Sequence, residues 1–245
     1  MKILEVINVT KKFGGLTALD RVNIKLDRGE LRGIIGPNGS GKTTLINVIS
    51  GYLTPTEGKI IFKGEDITAL PPHVIARKGI GRAFQLTNIF KSLTVYENIW
   101  TACQIKFKYA NPFADIKKMK EVEQRVEEIL KFIGLSREAD RITSECTFGE
   151  QRLIEFGIVL GMDPEMLLLD EPTTGLSPQE RQPVINLIKN LIGVKTIIIV
   201  EHSMDVLAQL GAYVTVLHRG QILAEGPFSD VVKDEKVQRI YLGGG

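Results

Sequence analysis

The sequence predicts an α/β fold in which a mostly parallel sheet is flanked by helices, with an antiparallel β-subdomain and an inserted α-helical subdomain. Alternating apolar and polar residues at 3–9 and 22–26 predict the antiparallel layer. Between residues 93 and 160 the strand pattern disappears and helical spacing replaces it, which predicts the helical subdomain. Short apolar runs are typical of parallel strands buried on both faces: Leu31–Ile35, 166–169 and Thr196–Val200.

Length and composition indicate a globular chain of one domain, or of one domain that carries a subdomain. The chain has 245 residues, of which 43% are hydrophobic, and this is enough for a packed core. Its net charge of +2 comes from interspersed acids and bases, which argues against a nucleic-acid partner and against a polybasic membrane anchor. Two cysteines are too few for a metal cluster or a disulfide framework, and they suit a reducing compartment.

The sequence shows no sign of secretion or of a membrane span. An acid, Glu5, comes too early for a signal peptide, and no apolar run approaches the roughly 20 residues that a bilayer requires. We therefore expect a cytoplasmic protein. If the protein works at a membrane, another chain must cross it.

Phe13 lies at the first turn of the predicted antiparallel layer, beside Gly14 and Gly15. An aromatic ring at this turn could stack on a purine base. A lone phenylalanine is more often a core residue, however, so both interpretations stay open on the residue alone.

The next motif fits GxxxxGK[ST] and lies between the strand Leu31–Ile35 and a predicted helix that begins at Lys42. Its glycines let the backbone turn its N–H groups inward, and the positive end of the helix faces the same hollow. Lys42 would reach the β- and γ-phosphates of a nucleotide, and the Thr43 hydroxyl would bind Mg²⁺. The alternative is a glycine-rich turn before an ordinary helix. The residues of this phosphate loop are Gly36, Pro37, Asn38, Gly39, Ser40, Gly41, Lys42, Thr43 and Thr44.

The middle of the chain predicts a strand at 58–64, a short helix at 71–78 and a strand at 80–84 that ends on Gln85. Gln85 could contact a metal ion or a water molecule, although a glutamine in a loop usually has no such role. Apolar residues between 122 and 133 form the stripe of a helix, which Gly134 ends.

Two carboxylates, Asp170 and Glu171, close the buried strand pattern at 166–169. Ligands of open α/β sheets bind at the carboxyl ends of the strands. Asp170 therefore suits an Mg²⁺ contact, and Glu171 suits a general base that orients and deprotonates a water molecule. Two acids after a strand are usually a solvated strand end, but the phosphate loop in the same chain favours the chemical role.

Further along, Ser177 and Glu180 form an S-x-x-E capping box, which predicts a helix from Pro178 to about Ile192. The strand Thr196–Val200 ends on Glu201 and His202. His202 could donate to a γ-phosphate or contact a partner subunit, although a single histidine is often structural. A hairpin is predicted at 213–217 and 221–224.

Taken together, these landmarks resemble the ATP-binding cassette (ABC) ATPase family over nearly the whole chain. The resemblance implies ATP and Mg²⁺ as ligands, a nucleotide-binding core at 1–90 and 161–245, and a helical subdomain at about 91–160 that carries the signature motif. It also implies a role for each matching residue: Phe13 in base stacking, Gly36 to Thr44 as the phosphate loop, Lys42 in catalysis, Gln85 as the glutamine that senses metal and water, Thr147, Gly149 and Glu150 as the signature, Asp170 at the metal, Glu171 as the catalytic base, residues 175–178 as the loop that crosses the dimer and His202 as the switch histidine.

The signature departs from the family pattern Leu-Ser-Gly-Gly-Gln, because residues 146–150 read Cys-Thr-Phe-Gly-Glu. Thr147 still offers a hydroxyl, and Gly149 still permits close backbone approach at a helix N-terminus. The resemblance implies that two chains, identical or paralogous, enclose two ATP molecules. Each nucleotide would then lie between the phosphate loop of one chain and the signature of the other.

Within the family, the segments 82–85, 93–98, 201–206 and 223–226 look like ATPase subunits of branched-chain amino-acid importers. This implies separate transmembrane permease subunits, an extracytoplasmic solute-binding protein and a position on the cytoplasmic face of the membrane. Related subunits serve urea and short amides, and a lipopolysaccharide export ATPase is similar as well. A soluble ABC ATPase of the iron–sulfur cluster assembly type is the alternative outside transport. A P-loop kinase or GTPase of another family lacks support.

Overall fold

The computed structural model describes residues 2–83, 89–106 and 116–242. The strands in this part of the chain are β1 (Lys2–Phe13), β2 (Leu16–Asp27), β3 (Leu31–Ile35), β4 (Glu57–Phe62), β5 (Glu65–Asp66), β6 (Ile80–Ala83), β7 (Met166–Asp170), β8 (Thr196–Val200), β9 (Tyr213–His218) and β10 (Gln221–Pro227). The helices are α1 (Lys42–Ile49), α2 (Pro72–Lys78), α3 (Val95–Lys106), α4 (Ile116–Ile133), α5 (Phe148–Gly161), α6 (Pro178–Leu191), α7 (Met204–Leu210), α8 (Phe228–Val231) and α9 (Glu235–Leu242). Short 3₁₀ turns lie at Ser136–Glu138 and Thr143–Glu145.

The strands form two sheets, and the predicted fold class is confirmed. A six-stranded sheet has the order β10-β9-β3-β8-β7-β6, and its strands pair in parallel except for the antiparallel edge strand β10. A four-stranded antiparallel sheet has the order β2-β1-β4-β5. The predicted helices at 71–78 and 178–192 and the hairpin β9–β10 are confirmed as well.

The central strands are buried on both faces because each face packs on a different hydrophobic cluster. In β7, Leu167 and Leu169 pack on the cluster that includes α3 to α6, whereas Met166 and Leu168 pack on the cluster shared with α1 and the antiparallel sheet. Strand β8 alternates in the same way. A strand between two apolar layers has no position for a polar side chain except its ends, and this explains why the polar residues of these strands follow their last apolar residue.

Helices α3, α4 and α5, which lie between β6 and β7 in the sequence, pack on one another. The apolar stripe of α4 is buried as its spacing predicts, from Val122 and Val126 to Ile133. None of the helices in the described residues is long and apolar enough to cross a membrane.

The two sheets are linked at the surface by Glu165, which directly precedes β7. Its carboxylate accepts a hydrogen bond from Arg28 Nη1 at 2.6 Å, where β2 leads into β3, and it pairs with Lys63, which follows β4. These two cations lower the pKa of Glu165 below its ordinary value, with Lys63 the larger cause. The ion pairs therefore stabilise the folded state while Glu165 is charged.

We expect Glu165→Gln to lower the free energy of unfolding by about 0.5–1 kcal/mol at pH 7, a small loss because solvent screens these partly exposed groups. The folded pKa is depressed, so this contribution is present above the unfolded pKa of about 4.3 and is lost as the pH falls through the folded pKa. Urea unfolding at pH 7 and at about pH 3, below the unfolded pKa by more than one unit, measures it. Glu235→Gln, at an exposed pair within α9, is the control and should change little. An equal loss at both pH values would contradict the electrostatic explanation.

Candidate functional site

The phosphate loop connects β3 to α1, and two of its glycines are required by close backbone contacts. A Cβ atom on Gly36 would lie 2.2 Å from the carbonyl oxygen of Leu217 at the end of β9. On Gly41, where φ is +109°, a Cβ atom would lie 2.6 Å from the carbonyl oxygen of Ala18 in β2. At Gly39, where φ is +75°, a Cβ atom would meet nothing within 4 Å. The loop is thus held against both sheets while its tip stays open.

Several groups of this loop fit an anionic ligand. Helix α1 begins after Gly41 with no side-chain cap and no acid in its first turn, so its first amides are open to an external acceptor. The buried Ser40 hydroxyl has no hydrogen-bond partner among the described residues. Thr43, by contrast, is exposed. These features fit the phosphates of a nucleotide, because helix N-terminal amides and unpaired donors favour negative charge.

Lys42 lies inside the same loop. Its ammonium group donates to the carbonyl oxygens of Gly36 at 2.7 Å and of Pro37 at 3.0 Å. Burial lowers the pKa of Lys42, and the nearby carboxylates of Glu171 and Asp170 partly oppose this shift. The predicted catalytic cation and the predicted acidic pair therefore interact across the sheet edge.

Strand register brings the phosphate loop and the acidic pair to one edge. Val200 at the end of β8 pairs with Ile34 of β3 on one side and with Asp170 of β7 on the other. Neighbouring strands lie about 4.8 Å apart, so β3 and β7 end about 10 Å from each other. Strand β8 lies between them, and the residues that follow it, Glu201 and His202, therefore lie between the phosphate loop and the acidic pair.

Asp170 is buried, and its carboxylate accepts a hydrogen bond from Arg82 Nη2 at 3.2 Å. Arg82 also donates to Asn47 of α1 at 2.7 Å and to Ser50, which follows that helix, at 3.0 Å. Burial raises the pKa of Asp170, and Arg82 opposes that shift. The sequence interpretation gave Arg82 no part in the site, although an arginine in a strand that reads as buried could have signalled a buried acidic partner.

Glu171 and His202 form a direct pair. Glu171 Oε1 lies 2.8 Å from His202 Nε2, and Thr174 Oγ1 donates to Glu171 Oε2 at 3.2 Å. Glu171 has φ of +51°, a left-handed conformation that is costly for a residue with a Cβ atom. Its side chain is therefore directed by the backbone turn at the end of β7 as well as by two polar partners.

A buried carboxylate, Glu201, fixes the two loops that carry Glu171 and His202. It accepts hydrogen bonds from the amide and hydroxyl of Thr173 at 3.1 and 2.7 Å, and from the amide of His202 at 3.2 Å. Burial raises the pKa of Glu201. The sequence interpretation treated Glu201 only as the neighbour of His202, because its long-range contact with Thr173 leaves no local pattern.

The predicted signature residues lie at the start of α5. Thr147 is the N-cap, its hydroxyl accepts from the Glu150 amide, and the Glu150 carboxylate accepts from the Thr147 amide at 2.7 Å. Glu150 also pairs with Arg141, and Gly149 donates to Glu180. Among the described residues these groups have no hydrogen bond to the phosphate loop. The T-x-x-E pattern that would have predicted this capping box is present in the sequence.

Phe13 and Gln85, the remaining predicted residues, have no described contact with the phosphate loop or the acidic pair. Phe13 is half exposed at the end of β1, and the Lys11 ammonium lies 5.1 Å from its ring centre, so one face of the ring has a cationic neighbour. Gln85 lies outside the described residues, which end at Ala83 before this segment. Its predicted metal contact stays a prediction.

Comparisons with known proteins were made over the whole chain. Residues 19–174 match the family model described as ABC transporter. A probable branched-chain amino acid transport ATP-binding protein from Archaeoglobus fulgidus is 38% identical, with 99% of this chain and 96% of the relative covered. The crystal structure of the ADP conformation of an ATP-binding cassette of an ABC transporter has a TM-score of 0.84 and 35% identity, and 99% of each chain is covered. A dimeric ATP-binding cassette in a post-hydrolysis state with ADP and phosphate has a TM-score of 0.77 and 29% identity, with 92% of this chain and 99% of the other covered.

The glycine geometry yields a test of which loop glycine is required by a close backbone contact. We expect Gly36→Ala to lower the free energy of unfolding by about 2–3 kcal/mol, because the added methyl group overlaps a backbone carbonyl that cannot easily move. Gly39→Ala should cost only about 1 kcal/mol of left-handed strain. Urea unfolding of the two variants measures the difference. Equal losses would show that the close contact with Leu217 does not constrain the loop.

Proposed function

This chain belongs to the ABC transporter family and is an ATPase, and from that premise we propose that it powers the import of branched-chain amino acids through separate permease subunits. The single observation that carries the catalytic part is the Glu171–His202 pair, which lies at the same sheet edge as an uncapped phosphate loop. Full-length similarity to a branched-chain amino acid transport ATP-binding protein supports the substrate class.

Lys42 and the first amides of α1 would hold the phosphates of ATP. The ammonium group needs only to leave the carbonyl oxygens of Gly36 and Pro37 to reach a phosphate oxygen. Thr43, Asp170 and Gln85 supply oxygen donors of the kind that Mg²⁺ prefers. The ion, when bound, would neutralise charge on the phosphate oxygens.

Glu171 would act as general base. Its carboxylate already has its two oxygens directed by His202 and Thr174, so one oxygen can accept the proton of an attacking water molecule without a large rearrangement. His202 Nε2 would hold the carboxylate in this position and then donate to the γ-phosphate. Asp170 would remain with Arg82 and the metal, because its burial prevents it from approaching solvent water.

A second copy of the chain, or a paralogue, would complete the site. Thr147 and the first turn of α5 have no hydrogen bond to the phosphate loop of their own chain in the described residues. The Thr147 hydroxyl accepts from the Glu150 amide, so its own hydrogen could be donated to the nucleotide of a partner. The dimeric form of a similar cassette supports this arrangement. The Glu150 carboxylate, already bound to Thr147 and Arg141, would set the shape of the helix start and hold its amides in place.

The permease subunits would dock in a mostly apolar cleft beside β6. The cleft has a volume of about 440 Å³ and lies between the end of α1, helix α2 and helix α5. Its rim includes Tyr52, His73 and Met162, and its floor includes Arg82, the partner of Asp170. A cytoplasmic helix in this cleft would therefore contact Arg82, which in turn is hydrogen-bonded to the metal-binding carboxylate of Asp170. In this proposal the chain would lie on the cytoplasmic face of the membrane, in a complex that would also recruit a solute-binding protein.

The other transport and non-transport functions have less support. An export ATPase and a soluble ABC ATPase of the iron–sulfur assembly type would both use the same nucleotide site. The similar proteins that cover the whole chain favour neither of them.

Glu171→Gln should reduce kcat for ATP hydrolysis at least 100-fold, because the amide cannot accept a proton from water, while ATP binding persists. The variant should also accumulate as an ATP-bound dimer, since the step that separates the subunits is blocked. Phosphate release assays and size-exclusion chromatography with ATP measure the two effects. A rate near that of the unaltered chain would remove Glu171 from the role of base.

Docking in the cleft can be tested with a charge at its rim. We expect His73→Glu to reduce co-purification with the permease subunits from detergent-solubilised membranes at least tenfold, because the carboxylate must be desolvated when an apolar helix enters. Val194→Glu is the matched control, because Val194 is exposed and lies away from the cleft. Equal recovery of permease with both variants would place the docking surface elsewhere.

A further inference from the structure

A single carboxylate, that of Glu180 in the first turn of α6, bridges two segments that are distant in sequence. Glu180 Oε2 accepts from the amide and hydroxyl of Ser177 at 3.1 and 2.8 Å, which caps its own helix. Glu180 Oε1 accepts from the amide of Gly149 at 3.1 Å, in the first turn of α5. The start of the signature helix is therefore attached to the loop that follows Glu171.

This second bond distinguishes Glu180 from two equivalent residues of the same chain. Glu97 caps α3 through Thr94, with bonds of 2.8 and 3.1 Å between side chains and amides. Glu150 caps α5 through Thr147 in the same way. Among these three capping boxes, Glu180 is the one whose glutamate also accepts from the first turn of a different helix.

The backbone geometry at both ends of the bridge requires close approach. A Cβ atom on Gly149 would lie 2.8 Å from Glu180 Cβ, so a larger residue at 149 would separate the two helix starts. On the other side, the Phe148 ring covers Gly175, where a Cβ atom would lie 3.2 Å from Phe148 Cε1. Two adjacent residues of the signature, Phe148 and Gly149, thus lie against Gly175 in the loop at 172–178 and against Glu180 in the first turn of α6.

The far end of that loop is fixed to the catalytic residues. Thr174 Oγ1 donates to Glu171, and Thr173 binds the buried carboxylate of Glu201, which also accepts from the His202 amide. Hydrogen bonds therefore fix both ends of the loop at 172–178, one end to the Glu171–His202 pair and the other end, through Glu180, to Gly149. Hydrogen bonds from Ser177 and Gly149 lower the pKa of Glu180, so the carboxylate is charged at neutral pH.

We propose that Glu180 is a positioning residue that joins the signature segment, residues 147–151, to the loop at 172–178, so that the two elements facing the partner subunit move as one unit. The proposal rests on the proposed function, in which the signature binds the partner's nucleotide. It adds a specific device by which the chain presents both elements in a fixed relation when the dimer closes.

Three substitutions at Glu180 are made in the Glu171→Gln background. They separate the effect of the bond to Gly149 from the effect of the negative charge and from the effect of the helix cap at Ser177. Glu180→Ala removes both bonds and should raise the ATP concentration required for half-maximal dimer formation at least tenfold. Glu180→Asp keeps the charge at the helix start but is too short to reach both partners, so it should behave like alanine. Glu180→Gln keeps the length but has one acceptor oxygen, which can serve the Gly149 amide or the Ser177 amide but not both, so its loss should fall between that of the parent and that of alanine. Size-exclusion chromatography at a series of ATP concentrations measures dimer formation.

Glu97→Ala is the matched control, because it removes a comparable capping box without a bridge to another helix. It should leave ATP-dependent dimer formation within about twofold of the parent. Binding of a fluorescent ATP analogue to the monomer should be unchanged in all of the Glu180 variants, since the phosphate loop is not altered. Dimer formation by Glu180→Ala at the parent's ATP concentration, or an equal loss in Glu97→Ala, would overturn the proposal.

Hydrogen–deuterium exchange of the nucleotide-free monomer tests the bridge independently of ATP. Amides of residues 147–151 should exchange at least tenfold faster in Glu180→Ala than in the parent, and Glu97→Ala should not change them. Unchanged exchange in Glu180→Ala would overturn the bridge itself. If the parent binds no ATP or forms no dimer while the exchange result holds, the bridge stands and the proposed function is what has failed.

Discussion

The parallel register of β3, β8 and β7 is the constraint on which the rest of the site depends. Val200 pairs with both of its neighbours, and this fixes the ends of three strands at one level of the sheet. The chain can place polar groups only beyond that level, because the strands are buried on both faces. The cation-bearing loop therefore meets an acidic pair and a histidine loop that lie more than 120 residues further along the chain.

Burial of charged groups organises the space beneath this edge. Asp170 and Glu201 are both buried carboxylates, and each has partners that come from another segment: Arg82 for Asp170, and Thr173 for Glu201. Unpaired charge in such surroundings is costly, so these partners are held firmly. The partly buried Glu171 and the exposed His202 thus lie next to a layer of polar contacts that have little freedom to move.

Local patterns in the sequence were sufficient for the central strands, for helices such as α1, α2 and α6 and for the phosphate loop, because periodicity, caps and glycine spacing act within a few residues. The helix after Ser177 is an example, since its capping box lies within four residues. Contacts between distant segments leave no such pattern. Arg82 with Asp170, Glu201 with Thr173, and Glu180 with Gly149 could be found only after the topology had brought them together. The Thr147–Glu150 box was readable but was overlooked beside the family motif.

Lys42 has a further consequence for ion selectivity. Its ammonium group satisfies two carbonyl oxygens of its own loop before any ligand arrives, so the hollow contains a cation that is already solvated by the protein. An entering anion must replace both of these partners. Chloride offers one weak, spherical acceptor and gains little from the exchange, whereas a polyphosphate offers several oxygens to the ammonium group and to the helix amides together. The two carbonyl partners of Lys42 therefore favour binding of a polyphosphate over binding of a small monovalent anion.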